Sequence, residues 1–205
     1  MRCIAIAALA AGLATAAQAH KASDSYLTLE VDGAHVGGSW DVSLRDLDLS
    51  IGLDANSDGK ITWGEVKAAR GRIARYLLPR LSLADGSKTC PLRAGELLAE
   101  RHSDGAYAVL RFDASCDRAP AELDIAYTLL FDDDPLHRGL VRVRAGGVER
   151  AIVFSPDARR QRVQLSGSGW AGIPTFLRAG IAHIWAGIDH LLFLVALLLP
   201  AVLRR

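Results

Sequence analysis

The chain has 205 residues, half of them apolar, with 24 Lys and Arg set against 23 Asp and Glu. That length suits one folded domain with additional segments, and the near-neutral balance without a basic stripe excludes nucleic acid as a partner, since phosphates demand clustered Lys and Arg. No Gly-x-Ser-x-Gly, His-Glu-x-x-His or phosphate-loop pattern occurs, and no thiol has a plausible histidine, so an enzyme is not expected.

Residues 1–19, MRCIAIAALAAGLATAAQA, place Arg2 before an apolar run of ~14 residues, short of the ~20 that a bilayer span needs. The run ends in Ala17-Gln18-Ala19. This order predicts a secretory signal peptide cut after Ala19, which leaves Cys90 and Cys116 as the cysteines of the mature chain. In an exported domain such a pair is most simply a disulfide, with two buried free thiols as the alternative. His20 becomes the new N-terminus, where an α-amine and an imidazole together suit copper or nickel as a minor reading.

Residues 20–165 read as one exported, strand-rich domain. YLTLEV alternates Leu27, Leu29 and Val31, and Asp32-Gly33 turns it into a second strand carrying Val36, Trp40 and Val42. The period then changes. Leu44, Leu47 and Ile51 recur at helical spacing after Ser43, which with Asp46 resembles a capping box. Val66, Ala69, Ile73 and Leu77 form a second apolar stripe that Pro79 stops, and Lys67, Arg70, Arg72 and Arg75 on its other faces read as solvated surface. Further on, residues 121–131 alternate Leu123, Ile125, Tyr127, Leu129 and Phe131, and weaker strands lie before it within 105–114 and after it within 139–145, 147–154 and 162–165. Between them, Asp132 to Asp134 with His137 read as a solvated turn before Pro135, a metal site being the minor alternative.

Between the two helical stretches lies DANSDGKITWGE, residues 54–65. Calcium takes six to eight hard oxygens, which a twelve-residue loop supplies from positions 1, 3, 5, 7, 9 and 12. Here those are Asp54, Asn56, Asp58, the Lys60 carbonyl, Thr62 and a bidentate Glu65, with Gly59 at the sharp turn and apolar Ile61 facing the core. The stretch resembles an EF-hand, spanning 43–79 with its flanking helices, and the resemblance implies calcium. No second loop pairs with it, so weak affinity is expected, Kd on the order of 10⁻⁴ to 10⁻³ M, in a structural role. The fold class expected overall is α+β: a sandwich-like strand-rich domain with an inserted EF-hand helix-loop-helix, followed by one C-terminal transmembrane helix.

After a short linker, 166–171, residues 172–205 are almost wholly apolar between Arg178 and the pair Arg204-Arg205. With an exported domain before it, a helix here runs inward and ends on cytoplasmic arginines, the N-terminal domain being periplasmic. Asp189 and His190 then sit near the midplane, where a carboxylate costs ~3 kcal/mol or more and normally faces a bundle interior or a wet cavity. His183 and His190 are two turns apart, ~10 Å, so they suit successive stations on a path better than joint chelation of one ion. Imidazole favours nickel, cobalt, copper and zinc over calcium. The bland alternatives are a wet His183 and an Asp189–His190 pair that glues helices together.

FLRAGIAHIWAGIDHLLFLVALLL resembles the opening of the membrane domain of HupE/UreJ proteins, with His183, Gly187, Asp189 and His190 in the family's His, Gly, Asp-His pattern. The earlier stretches HKASDSYLTLEVDG, LRDLDLSIGLDANSDGKITWGE and DDDPLHRGL are similar to the long exported domain of one branch. The resemblance implies a transition-metal permease for nickel or cobalt, or an accessory protein of hydrogenase or urease maturation, in the inner membrane of a bacterium. Family members continue through several more membrane helices. The expectation is therefore that this chain is the front part of such a protein, its partners being membrane lipid and further helices from a continuing chain, self-association or another protein. The alternative is a calcium-stabilised periplasmic binding module on a single anchor, without transport.

Overall fold

A computed structural model of the protein describes residues 23–166. Strands β1 (Asp24–Asp32) and β2 (His35–Ser43) form the expected hairpin, with Gly33 at φ 57° in its turn. Helices α1 (Leu44–Ile51), α2 (Trp63–Ala68) and α3 (Arg70–Leu77) and a 3₁₀ turn (Leu78–Arg80) lead to β3 (Leu81–Asp85) and β4 (Lys88–Cys90). Then come β5 (Leu92–His102), β6 (Gly105–Ser115), β7 (Glu122–Tyr127), β8 (Arg138–Ala145), β9 (Val148–Phe154) and β10 (Arg160–Gln164).

The strands divide into two sheets. One runs β5-β6-β2-β1-β8-β9 and the other β10-β7-β3-β4. All pairings are antiparallel except β1 with β8, which lie parallel inside the larger sheet, Leu27 beside Val141. Alternation fixes which side of each strand is dry: Leu27 and Leu29 of β1, Trp40 and Val42 of β2, and Leu110 and Phe112 of β6 meet Leu83 of β3 and Leu123, Ile125 and Tyr127 of β7 in one core. Trp40 packs on Tyr127 across the two sheets, ring centroids 5.4 Å apart. Leu47, Val66, Ile73 and Leu77 add the helices' apolar sides to that same core.

The α+β class with an EF-hand helix-loop-helix is corrected by this architecture. The described residues form a two-sheet β-sandwich, and its helical insert is three short pieces of eight, six and eight residues, the last two broken from each other at Ala69, not an EF-hand pair of helices. The stripe from Val66 to Leu77 does bury Val66, Ala69, Ile73 and Leu77, but the helix breaks at Ala69, so periodicity survives where continuity does not. Ser43 makes no side-chain cap; the capping box belongs to Thr62 and Glu65 instead. Among the described residues no helix is long and apolar enough to cross a membrane. The expected transmembrane helix within 172–205, like the signal peptide at 1–19, lies outside the described residues.

The long strand read over 121–131 is also shorter than its alternation implies. β7 stops at Tyr127, and Leu129, Leu130 and Phe131 are all buried in a turn where Leu130 adopts φ 60°. Alternation there records burial of every residue's surroundings, not a ladder.

Candidate functional site

The loop over 54–65 is ordered by hydrogen bonds from its own backbone to its carboxylates. Asp48, near the end of α1, accepts from the Leu53 and Asp54 N–H groups at 2.6 and 2.9 Å and so fixes where the loop leaves the helix. The Asp54 carboxylate accepts from Asp58 N–H at 3.2 Å and Gly59 N–H at 2.8 Å. Asn56 Oδ1 accepts from Asp58 N–H at 3.1 Å, and Asp58 Oδ1 from Lys60 N–H at 2.8 Å. This inward curl requires two left-handed residues, Ser57 at φ 58° and Gly59 at φ 77°. Arg72 closes the base of the loop by donating to the Ile51 and Gly52 carbonyls at 2.9 and 3.0 Å, which makes one arginine of the supposed solvated face a structural tie.

Glu65 spans the loop's two ends. One carboxylate oxygen accepts from Thr62 N–H and Thr62 Oγ1, both at 2.8 Å, and the other accepts from Ala55 N–H at 3.0 Å. The Thr62 N–H, then its hydroxyl, then the Ala55 N–H hold this carboxyl below the usual carboxylate range. Among the described residues none of Asp54, Asp58 and Glu65 forms an ion pair. Ile61 is partly buried against the core, as its place in the loop predicts. Six oxygen donors in the required order, three uncompensated carboxylates and a backbone already curled around them fit a calcium ion. Both Glu65 carboxylate oxygens are engaged in these capping contacts.

A second polar centre gathers around His137, which was expected from the sequence to lie in a solvated turn. His137 is fully buried, its Nδ1 2.6 Å from Ser23 Oγ and its Nε2 3.2 Å from both Ser25 Oγ and Tyr127 OH. Ser25 and Tyr127 also share a short hydrogen bond, and Ser23 Oγ donates to Asp134 at 3.0 Å. Burial drives the imidazole's pKa down to about 4 against the opposing pull of Asp134, and burial likewise raises that of the Tyr127 phenol. Asp132 pairs with Arg159, and Asp134 Oδ1 accepts from Leu136 N–H. The run expected to be a solvated turn is thus half surface and half the lid of a buried polar knot. Only the distance between Ser23 and His137 along the chain hid it.

Cys90 and Cys116 form a disulfide, their Cα atoms 4.4 Å apart. Of the remaining site residues proposed from sequence, His183, Asp189 and His190 lie outside the described residues, as does His20. Residues 159–204 match the family model HupE / UreJ protein. The match begins at the last strand of the smaller sheet, β10, and runs through His183, Asp189 and His190 together with Gly187. No curated protein matches the chain.

Proposed function

We propose that the chain is a membrane-located HupE/UreJ-type protein of transition-metal handling, a nickel or cobalt permease component or an accessory protein, whose sandwich faces the extracytoplasmic side. The observation that carries this is the HupE / UreJ match over 159–204, which encloses two histidines and an aspartate in an otherwise apolar segment. Ionisable groups in such a segment are costly and mark ion pathways, and imidazole is a ligand that nickel and cobalt favour. His183, Asp189 and His190 are the path residues, completed by groups from further membrane segments. The Cys90–Cys116 disulfide supports an oxidising compartment for the domain.

The loop over 54–65 holds calcium through Asp54, Asn56, Asp58, the Lys60 carbonyl, Thr62 and Glu65. Calcium bound there supplies fixed positive charge that joins the end of α1 to the start of α2. Cells carrying Asp189→Leu, in the protein's complete membrane context, are expected to accumulate less nickel or cobalt than wild type at equal expression. Equal accumulation overturns the pathway reading, because a plain anchor tolerates leucine there.

A further inference from the structure

On the outer face of the larger sheet, away from the core, three ligand-type side chains converge. Asp41 of β2, whose neighbours Trp40 and Val42 point inward, faces out, and so do Glu100 and His102 of β5. One donor atom from each of the three lies within 4.8 Å of the others. His102 Nε2 is 3.2 Å from Asp41 Oδ2. Donors around one small divalent ion, each ~2.0 to 2.2 Å from it, sit roughly 3 to 4 Å apart. Glu100 is the most exposed member of the set.

The imidazole is held for this. Its ring stacks on Tyr26, centroids 5.1 Å apart and planes 27° from parallel, and lies 4.2 Å from the Tyr107 ring. Tyr107 stands on this outer face and yet is buried, with the His102 and Tyr26 rings packed against it. Tyr107 is tied in turn by its hydroxyl donating to Asp104 at 2.8 Å. Packing therefore fixes the ring with Nε2 aimed at Asp41. Beyond His102 a groove of about 640 Å³ opens across Tyr26, Thr28, Leu140, Arg142 and Val153, so solvent and small ligands reach the cluster.

We propose that Asp41, Glu100 and His102 form a binding site for a first-row divalent transition metal such as cobalt, nickel or zinc. One imidazole nitrogen and two carboxylates match the ligand softness of those ions better than that of calcium, whose cage is all oxygen. Three protein ligands leave coordination positions open toward the groove, which suits an exchangeable ion over a locked structural one. The site does not depend on the permease reading. Nothing in the local sequence announces it, since Asp41 and His102 are joined only by the folding of β2 beside the β5–β6 hairpin.

The test uses the full chain in detergent micelles, stripped with chelator and then saturated with calcium to occupy the 54–65 loop. Cobalt is titrated while its visible d–d absorption is followed, and zinc is added to displace it. Wild type is expected to show a saturable cobalt spectrum, and Glu100→Gln and His102→Gln are each expected to weaken it by about tenfold or more. Glu100 is exposed, so its replacement leaves the fold intact, which the thermal melt of each variant verifies. The double variant His183→Gln with His190→Gln is expected to retain the spectrum, which separates this site from the membrane histidines. The proposal is overturned if wild type binds no cobalt below a Kd of about 0.1 mM, if Glu100→Gln and His102→Gln bind as wild type does, or if only the membrane-histidine variant abolishes binding.

Discussion

At the scale of single residues the sharpest expectation concerns His137. Its imidazole is buried and held neutral at a pKa of about 4, whereas a histidine in an unfolded chain titrates near ~6.5. On acidification the unfolded state takes up the proton first. The stability from His137 is therefore complete above about pH 6.5, shrinks as the pH falls toward 4, and is absent below that, a span on the order of 3 kcal/mol. Denaturant titrations at several pH values check this. His137→Gln is expected to lose about 1 to 3 kcal/mol at pH 7, by leaving Ser23, Ser25 and Tyr127 imperfectly paired, and to show a flatter dependence between pH 6.5 and 4. A second residue-scale expectation sits at Gly38, across from Phe112 in the β2–β6 ladder. The Phe112 ring lies directly over it, and any Cβ there overlaps the ring. Gly38→Ala should cost about 1 to 3 kcal/mol by displacing a buried aromatic, read as a lowered melting temperature.

Among the elements, alternation was legible where a turn signal bounded it, and it overran at β7, which stops at Tyr127. The β1–β2 hairpin is written in Leu27, Leu29, Val36, Trp40, Val42 and a turn glycine, so short-range pattern and fold agree. β5 is the opposite case. LRAGELLAERH is rich in Leu, Ala and Glu, which favour helix, and it is a strand because β6 supplies a ladder partner and a bulge between Ala94 and Leu97 absorbs the mismatch. The oxygen-bearing residues of the 54–65 loop could be picked out because they are local in sequence, whereas the His137 knot and the Asp41, Glu100, His102 cluster are assembled across 112 and 61 residues of chain and leave no local trace. The disulfide belongs at this scale too. Cys90 ends β4 of the smaller sheet and Cys116 follows β6 of the larger one, so the bond staples the two layers to each other. It closes a loop of 26 residues' separation, worth ~3 kcal/mol in the chain-entropy estimate. Urea unfolding with and without reductant should differ by about that amount, and an unchanged midpoint sinks the staple argument.

For the whole molecule, calcium is expected to act through mass action. With Kd near 1 mM, calcium at about ten times Kd adds roughly 1.4 kcal/mol to stability, visible as a higher melting temperature that magnesium does not reproduce. Glu65→Gln removes the ligand that reaches across both ends of the loop, and its melt should no longer respond to calcium. A response equal for calcium and magnesium, or unchanged in Glu65→Gln, contradicts a calcium site there. The parallel seam between β1 and β8 carries a different kind of consequence, one of time. β1 is central in its sheet, and one flank waits for a strand that the ribosome makes more than a hundred residues later. Such non-local pairing is slow to form and is completed only after long loops close. While the chain emerges from its N-terminus, the hairpin therefore stands with one edge open until β8 emerges, and the smaller sheet lacks an edge strand until residue 164 is out. The two sheets are therefore completed only when nearly all of residues 23–166 has been synthesised, so the order of synthesis and the order of pairing do not coincide.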